Sequence, residues 1–362
     1  MILFSIIRKA IEMTHGLRAR LAKLIVLIAV MNLIFGTAFY YAENSVQESL
    51  TYLDSIWWSM VTMTTVGYGD FYAQTFVGRF IISIANMLIG IGTLGYLLGE
   101  VANLVIENQS KRKRGMNEIS STDHIIFCNY PGTEKVISLV EELKANASHA
   151  DADFVIVTDA FEQIPDKLAE NKIKFIKGSP THKATLIKAN VAQCAGIIVL
   201  AADSDGDESD NRSFVIASII KQIEDETKSD IKVIVEAISD KNLSMMSNTG
   251  ADGIITKEGI SDRLLVQEFL NPGVHDVFQQ IISNLTGSQL YLKETKLTGL
   301  KVSDIQIGVL KHPANLQVIG LIRNDQKILN PPKTVVIEKG DKLVILADRE
   351  EDFAQIEQDL LV

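Results

Sequence analysis

Cysteine is scarce in this 362-residue chain: Cys128 and Cys194 are the only two, each in an apolar run, with no Cys-x-x-Cys and no Cys/His spacing. That excludes a disulfide framework and a zinc cluster and fits buried thiols in a reducing compartment. Basic charge is short as well. Thirty-five Lys and Arg stand against 45 Asp and Glu, a net charge of −10; no basic face is left to release counterions from nucleic-acid phosphates, so a nucleic-acid partner is excluded. Residues 42–76 hold no Lys or Arg at all, although Glu43, Glu48, Asp54 and Asp70 lie there. The first strand–helix turn of the second half, Asn129-Tyr130-Pro131-Gly132-Thr133-Glu134, lacks the G-x-G-x-x-G of a dinucleotide site. No His/Tyr/Lys set suited to hydride transfer is present either, so a membrane-tethered oxidoreductase is disfavoured and no catalytic residue is assigned.

Apolar residues are plentiful, at 47%, and the mean hydropathy is positive. Leu24 to Tyr41 is broken only by Asn32 among strongly polar side chains, and at about 1.5 Å per residue it crosses most of a ~30 Å hydrocarbon layer. A second apolar run, Phe80 to Ile106, is interrupted by Asn86 and Glu100 and rich in glycine. Basic residues flank both runs: Arg8, Lys9, Arg18, Arg20 and Lys23 before the first, and Lys111 to Arg114 after the second. The positive-inside rule then puts both termini in the cytoplasm and the acidic segment outside, in a multi-pass protein of the cell membrane. Within that segment Tyr52 to Thr64 has helical spacing but is too short to span, which predicts a re-entrant pore helix.

Thr65-Val66-Gly67-Tyr68-Gly69 follows that helix. Non-helical backbone at membrane depth is tolerated only beside protein or a water-filled cavity. Glycines alternating with other residues allow successive carbonyls to face one side, where four copies replace the hydration shell of K+. The run TTVGYGD resembles the signature of two-transmembrane potassium channels. The resemblance implies a homotetramer in the bilayer, with a filter of Thr65 to Gly69 closed off by Asp70 and supported by Trp57, Trp58 and Thr64. Asp70 is expected to bond back toward the tryptophans. Gly90 and Gly92 resemble the segment where ligand-gated members bend, although close helix packing explains small residues equally well. Leu97 and Leu98 would line an inner constriction, with Glu100 facing water and attracting cations. A potassium-transporter subunit would carry a degraded filter, which the intact motif argues against.

Beyond Asp123 short β-branched runs (HIIFC, FVIVT, KFIKG, GIIVL, VIVEA) alternate with helical stretches, the pattern of a parallel, doubly wound sheet. The phrases GSPTHKATLIKANV, AGIIVLAADSD and NTGADGII resemble the regulator-of-potassium-conductance (RCK) domain of bacterial channels and transporters. The expected architecture is a membrane α-helical pore (1–110) and a linker (111–122), then a Rossmann-like α/β lobe (123–258). A helix–turn–helix (259–285) and a small α+β C-terminal lobe (286–362) complete it. In that family such helix pairs make dimers that build a gating ring, though the apolar positions here suit an intradomain core as well. Four chains supply four sensing domains, and a ring of eight would need soluble copies, for which Met116 is a candidate internal start.

Ligand candidates are the turn residues Asn129, Tyr130 and Gly132, and Asp159, which sits where a ribose-binding acid would but, without the glycines of a dinucleotide site, reads rather as a helix cap or loop aspartate. The acidic loop Asp203, Asp205 and Asp207 with Glu236 offers hard oxygens for calcium. Ile238 and Leu200 stand where relatives carry carboxylates. Arg323 marks the C-terminal lobe, where a turn explains it too. A divalent cation such as Ca2+, an adenine nucleotide (NAD, ADP, ATP) and a cyclic dinucleotide all remain open as the gating ligand. The remaining strands are read as YLKET, LQVIGLIR, KTVVIEK and KLVILAD, with a hairpin-like EKGDK turn.

Overall fold

The computed structural model describes residues 17–202 and 207–361. The chain divides into two compact units between Lys111 and Arg112.

In the first unit, α1 (Leu17–Glu43) is followed by a short helix α2 (Tyr52–Met63). A π-helical turn at Gly78–Ser83 runs directly into α3 (Ile84–Lys113). Ala22–Glu43 and Gly78–Lys113 are long and apolar enough to cross a membrane, with mean hydropathies of 2.1 and 1.9. The short helix starts at a capping box: the Thr51 hydroxyl accepts the Asp54 N–H and the Asp54 carboxylate accepts the Thr51 N–H, which satisfies two otherwise orphaned donors. Small residues let it sit close to both long helices. A Cβ on Gly36 would come within 2.8 Å of the Ile56 Cα, and one on Gly90 within 2.5 Å of the Met63 carbonyl oxygen. Gly90 is therefore a packing position. Gly92 has nothing within 4 Å of its would-be Cβ, and α3 passes both glycines as unbroken α-helix.

The second unit opens with a six-stranded parallel sheet, β1 (Ile125–Cys128), β2 (Phe154–Thr158), β3 (Lys174–Lys177), β4 (Gly196–Val199), β5 (Val233–Ala237) and β6 (Gly253–Thr256), in the order β3-β2-β1-β4-β5-β6. Successive side chains of a strand point to opposite faces. Ile125 and Phe127 accordingly enter one apolar cluster with Leu168, while Ile126 and Cys128 enter another with Ile216 and Ile220. A sheet buried on both faces needs continuous apolar strands, and IIFC and FVIVT are buried throughout. Helices α4 (Thr133–Ala145), α5 (Asp166–Glu170), α6 (Lys183–Lys188), α7 (Asp207–Thr227) and α8 (Leu243–Met246) connect the strands.

Helices α9 (Lys257–Leu270) and α10 (Val274–Ile282) follow, neither with a buried residue. Beyond them lies an antiparallel sheet of order β7-β10-β8-β9: β7 (Gln289–Glu294), β8 (Leu316–Arg323), β9 (Gln326–Leu329) and β10 (Lys342–Ala347), with α11 (Val302–Lys311) and α12 (Asp352–Leu361). One reading is corrected here. KTVVIEK forms no strand; Val336 makes a lone bridge to Lys301. The fourth strand is instead QKIL, turned back on β8 at Asn324 and Asp325, whose φ values of 49° and 63° fit a two-residue hairpin turn.

Arg323, a ligand candidate by sequence, is fully engaged within this lobe. Its Nε and Nη2 donate to the two Asp341 oxygens at 3.0 and 2.7 Å, Nη1 to Glu338 and Nη2 to the Val336 carbonyl. That fork fixes the segment that replaced the expected strand. The Arg323 guanidinium also holds the Asp341 carboxyl below its ordinary range. A depressed carboxylate stabilises the fold above its unfolded pKa, and the stabilisation is lost as pH falls through the folded value. Asp341→Asn is expected to cost roughly 3 kcal/mol at neutral pH and to flatten the acid limb of a pH-dependent thermal melt relative to wild type.

Candidate functional site

The candidate filter, Thr65 to Gly69, hangs from the end of α2 by its own peptide groups. The N–H of Thr65 donates to the Thr62 carbonyl at 3.1 Å, and those of Val66 and Gly67 both donate to the Val61 carbonyl, at 3.0 and 3.3 Å. With these donors tied back, and no hydrogen bond to the carbonyls of Thr65 to Tyr68 among the described residues, the loop keeps bare peptide oxygens. Backbone handedness alternates along it: Thr65, Gly67 and Gly69 take φ of 63°, 57° and 78°, and Val66 and Tyr68 are not in that region. Such alternation turns successive carbonyls to the same side, the requirement for a row of ion sites. Glycine adopts positive φ readily, but a β-branched threonine does so only under strain of about 1–3 kcal/mol. The two glycines announce their geometry in the sequence; Thr65 does not.

Trp57 and Asp70 brace the outer end. The indole Nε1 donates to Asp70 Oδ2 at 2.8 Å, and the indole stacks on Tyr68 with centroids 6.0 Å apart and planes 6° from parallel. Asp70 also accepts the Phe71 N–H. Trp58, grouped with the filter by sequence, is turned away from it. A helix places neighbouring residues about 100° apart, so Trp58 packs on α1, stacked on Phe39 at 3.6 Å. The Thr64 hydroxyl caps α2 by donating to the Met60 carbonyl.

Glu43 is a residue that sequence reading counted only as outer acidity. It is fully buried. Its carboxylate accepts the N–H groups of Gln74 and Thr75 at 2.9 and 3.0 Å, the Thr75 hydroxyl at 2.8 Å and the Gln47 amide at 3.0 Å. The end of the first span is thereby tied to the turn that starts the second. Gly78 must be glycine for this, since a Cβ would lie 2.0 Å from Glu43 Oε1. Glu43→Gln replaces an acceptor with a donor that faces donors, at about 1–3 kcal/mol per subunit. The expected result is a lower melting temperature of the purified assembly and faster loss of current during sustained opening.

At the other end of α3, Leu98 is exposed in the single chain and Leu97 half-buried. Glu100 departs from expectation. It is only 9% exposed in the single chain, where the sequence reading has it facing water.

The linker is seated, not slack. The Lys113 carbonyl accepts the Ile164 N–H at 2.8 Å and the Gly115 carbonyl accepts the Lys177 N–H at 3.0 Å. Farther on, the Ile119 N–H donates to Lys188 and the Asn190 amide to the Ser121 carbonyl. The seat uses an outward N–H of β3, available because β3 is the sheet's edge. Gly115 has φ 62°, and a Cβ there would lie 2.4 Å from the Lys177 nitrogen.

Strand order reverses between β1 and β4, which opens the crevice where open α/β sheets take ligands. Asn129, at φ 70°, donates to the Leu200 carbonyl across this gap at 3.0 Å. Tyr130 pairs its hydroxyl with Thr133, and Gly132 begins α4 with φ 138°. Asp159 is held by Arg212 of α7 at 2.7 Å. Glu236 takes the Ala201 N–H at 2.9 Å and is ion-paired with Lys135, with Lys257 at 3.8 Å. Two ammonium groups thus already neutralise the Glu236 carboxylate. Asp210, from the same acidic stretch, is buried and clamps Ile238 and Ser239 through their N–H groups. Asp203 and Asp205 lie outside the described residues, and of Asp207 only its backbone place in the first turn of α7 is described. Among the described residues no cluster of three or more His, Cys, Asp or Glu forms a metal site.

Asn129 Oδ1, which lies at this crevice, and Arg212 Nε and Ser213 Oγ at the start of α7 are buried without a hydrogen-bond partner among the described residues. Buried polar groups are nearly always satisfied, so each orphan calls for a missing partner. Sequence reading overlooked Arg212 and Ser213. Their signal is a polar run, SDNRS, at the start of α7 just ahead of the apolar FVIASII.

Three family models match consecutive parts of the chain: an ion channel over residues 27–107, a calcium-activated potassium channel slowpoke-like RCK domain over 120–239, and a Castor and Pollux segment, part of a voltage-gated ion channel, over 258–361. Probable potassium channel protein 2 of Methanocaldococcus jannaschii is 22% identical over 91% of this chain and 94% of its own length. The calcium-gated potassium channel TvoK of Thermoplasma volcanium is 24% identical over 92% and 94%. Among solved structures, the human SLO3 gating ring shares the fold at TM-score 0.52 and 16% identity, over 65% of this chain and 46% of that one; the chain spans less than half of that protein's length. The chain is an ion channel and not an enzyme: it carries an ion-channel domain followed by an RCK domain and is homologous to the potassium channels of Methanocaldococcus jannaschii and Thermoplasma volcanium.

Proposed function

We propose that this protein is a potassium-selective channel, a homotetramer around a central filter, gated by ligands that bind its cytoplasmic RCK domains. The observation that carries the selectivity is the alternating backbone of Thr65 to Gly69 with its unbonded carbonyls. Four such loops on one axis substitute for the water around K+. The basic flanks of both spans support the reading that the RCK half is cytoplasmic.

RCK domains pair through α9 and α10. Leu265 and Phe269 are 68% and 86% exposed in the single chain, too much apolar surface at adjacent turns to leave in water. Phe269→Asp is expected to abolish the pairing, read as a smaller complex by light scattering and as ligand-insensitive channels, with pore selectivity unchanged.

The ligand is an adenine nucleotide at the β1–β4 crevice; the buried, unbonded Asn129 Oδ1 at that gap supports this reading, with Asp159 and its partner Arg212 at the ends of neighbouring elements. Calcium, which gates the relative TvoK by its name, would have to displace Lys135 from Glu236. Planar-bilayer recording with NAD, ADP, a cyclic dinucleotide or Ca2+ added to the cytoplasmic side tests this. A nucleotide-dependent change in open probability that Arg212→Ala removes is expected. A response to Ca2+ alone would transfer the site to the carboxylates, and no response to any of them would overturn ligand gating.

A further inference from the structure

A cavity of about 500 Å³ lies against the seated linker, away from the crevice. One wall is the chain from Arg112 to Ser121, and the other is α5 with the lead-in to β3. Its floor is apolar, with Ile164, Ile173 and Phe175 all buried. Its rim is basic: Arg112, Lys113, Lys172 and Lys174 face a single carboxylate, Glu118.

The four cations are not equally committed. Lys174 is bound to Asp153 and Ser121, and Lys113 stands 3.6 Å from Asp166. The side chains of Arg112 and Lys172 make neither ion pair nor hydrogen bond among the described residues; only their backbone groups are bonded, to Gly115 and Ala169. Two uncompensated cations at the mouth of a volume typical of small-molecule sites match a phosphate group, for which a guanidinium and an ammonium are the usual donors. The floor suits an apolar or planar body attached to it.

We propose that this cavity binds a phosphate-bearing ligand with an apolar body, held at its phosphate by Arg112 and Lys172 and at its body by Ile164, Ile173 and Phe175. Two sources supply that chemistry, the headgroup of an anionic lipid and a soluble nucleotide. Because the linker is itself a wall, the bound ligand fills the space beside the Lys113 and Gly115 anchors. That consequence rests on the gating reading; the binding does not.

The test is therefore binding without current. Full-length protein in neutral detergent, carrying Arg212→Glu to silence the crevice, is titrated by calorimetry with dioctanoyl phosphatidylglycerol and, separately, with AMP. Saturable binding of either is expected, and the probe that binds names the source. Lys172→Glu with Arg112→Glu should weaken binding at least tenfold, whereas Lys172→Arg alone, which keeps the cation, should retain most of it. Failure of both probes to bind, or charge-reversed protein that binds as tightly as its parent, would overturn the proposal. A channel that no ligand gates would leave this result readable.

Discussion

Gly115→Ala is expected to leave a selective pore that no longer answers its RCK domain. At φ 62° the position is left-handed, which costs a residue with a Cβ about 1–2 kcal/mol. The new methyl would also press on the Lys177 nitrogen and the Phe175 ring at 2.4 and 2.7 Å. The first of these is backbone in a sheet and cannot swing aside, so the linker lifts and the Gly115–Lys177 hydrogen bond is lost, removing about 1 kcal/mol more. Allosteric coupling typically amounts to only 1–3 kcal/mol, so a loss of this size consumes it. In bilayer recordings the ligand-induced change in open probability should fall to less than twofold, with unitary conductance unchanged. Lys177→Pro removes the same bond from the other side, and a proline with its nitrogen facing outward is tolerated on an edge strand; it should uncouple as well. Unaltered ligand response in both variants would show that force enters the pore elsewhere.

Gly67→Ala acts on conduction itself. No atom lies within 4 Å of the Cβ it would add, so within the subunit the obstacle is conformational and not steric. Holding alanine at φ 57° costs about 1–2 kcal/mol in each chain, roughly 4–8 kcal/mol when four chains share one filter. The strain is relieved if the peptide turns over, which presents an N–H where a carbonyl should face the ion. Uptake of radioactive rubidium into liposomes should drop at least a hundredfold while the assembly still purifies intact. Wild-type uptake in this variant would contradict the carbonyl account.

Much of this was legible because it follows from periodicity. Two long apolar runs, a short helix between them and five β-branched strands need only spacing and composition, and both glycines of the filter announce their own backbone. What could not be read depends on contacts between distant segments. Glu43 looks like any outer carboxylate until Gln74 and Thr75 fold back onto it. Trp57 and Trp58 are adjacent in sequence, and only the packing of α2 against α1 sends one to the filter and the other to Phe39. KTVVIEK has the composition of a strand, yet Arg323 binds the Val336 carbonyl and Glu338 and holds it as an irregular segment. Its place in the sheet goes to QKIL, less apolar but turned back by Asn324 and Asp325. Glu236, on β5, read as a metal ligand because its lysine partner Lys135 lies far off in sequence, on helix α4 across the sheet's switch point.

The decisive measurement is the reversal potential of single channels in a planar bilayer with K+ on one side and Na+ on the other. A filter of bare peptide oxygens sized for K+ predicts a reversal potential displaced toward the potassium equilibrium value, with permeability to K+ at least a hundredfold above Na+. A reversal potential near zero would contradict the selectivity assigned to residues Thr65 to Gly69.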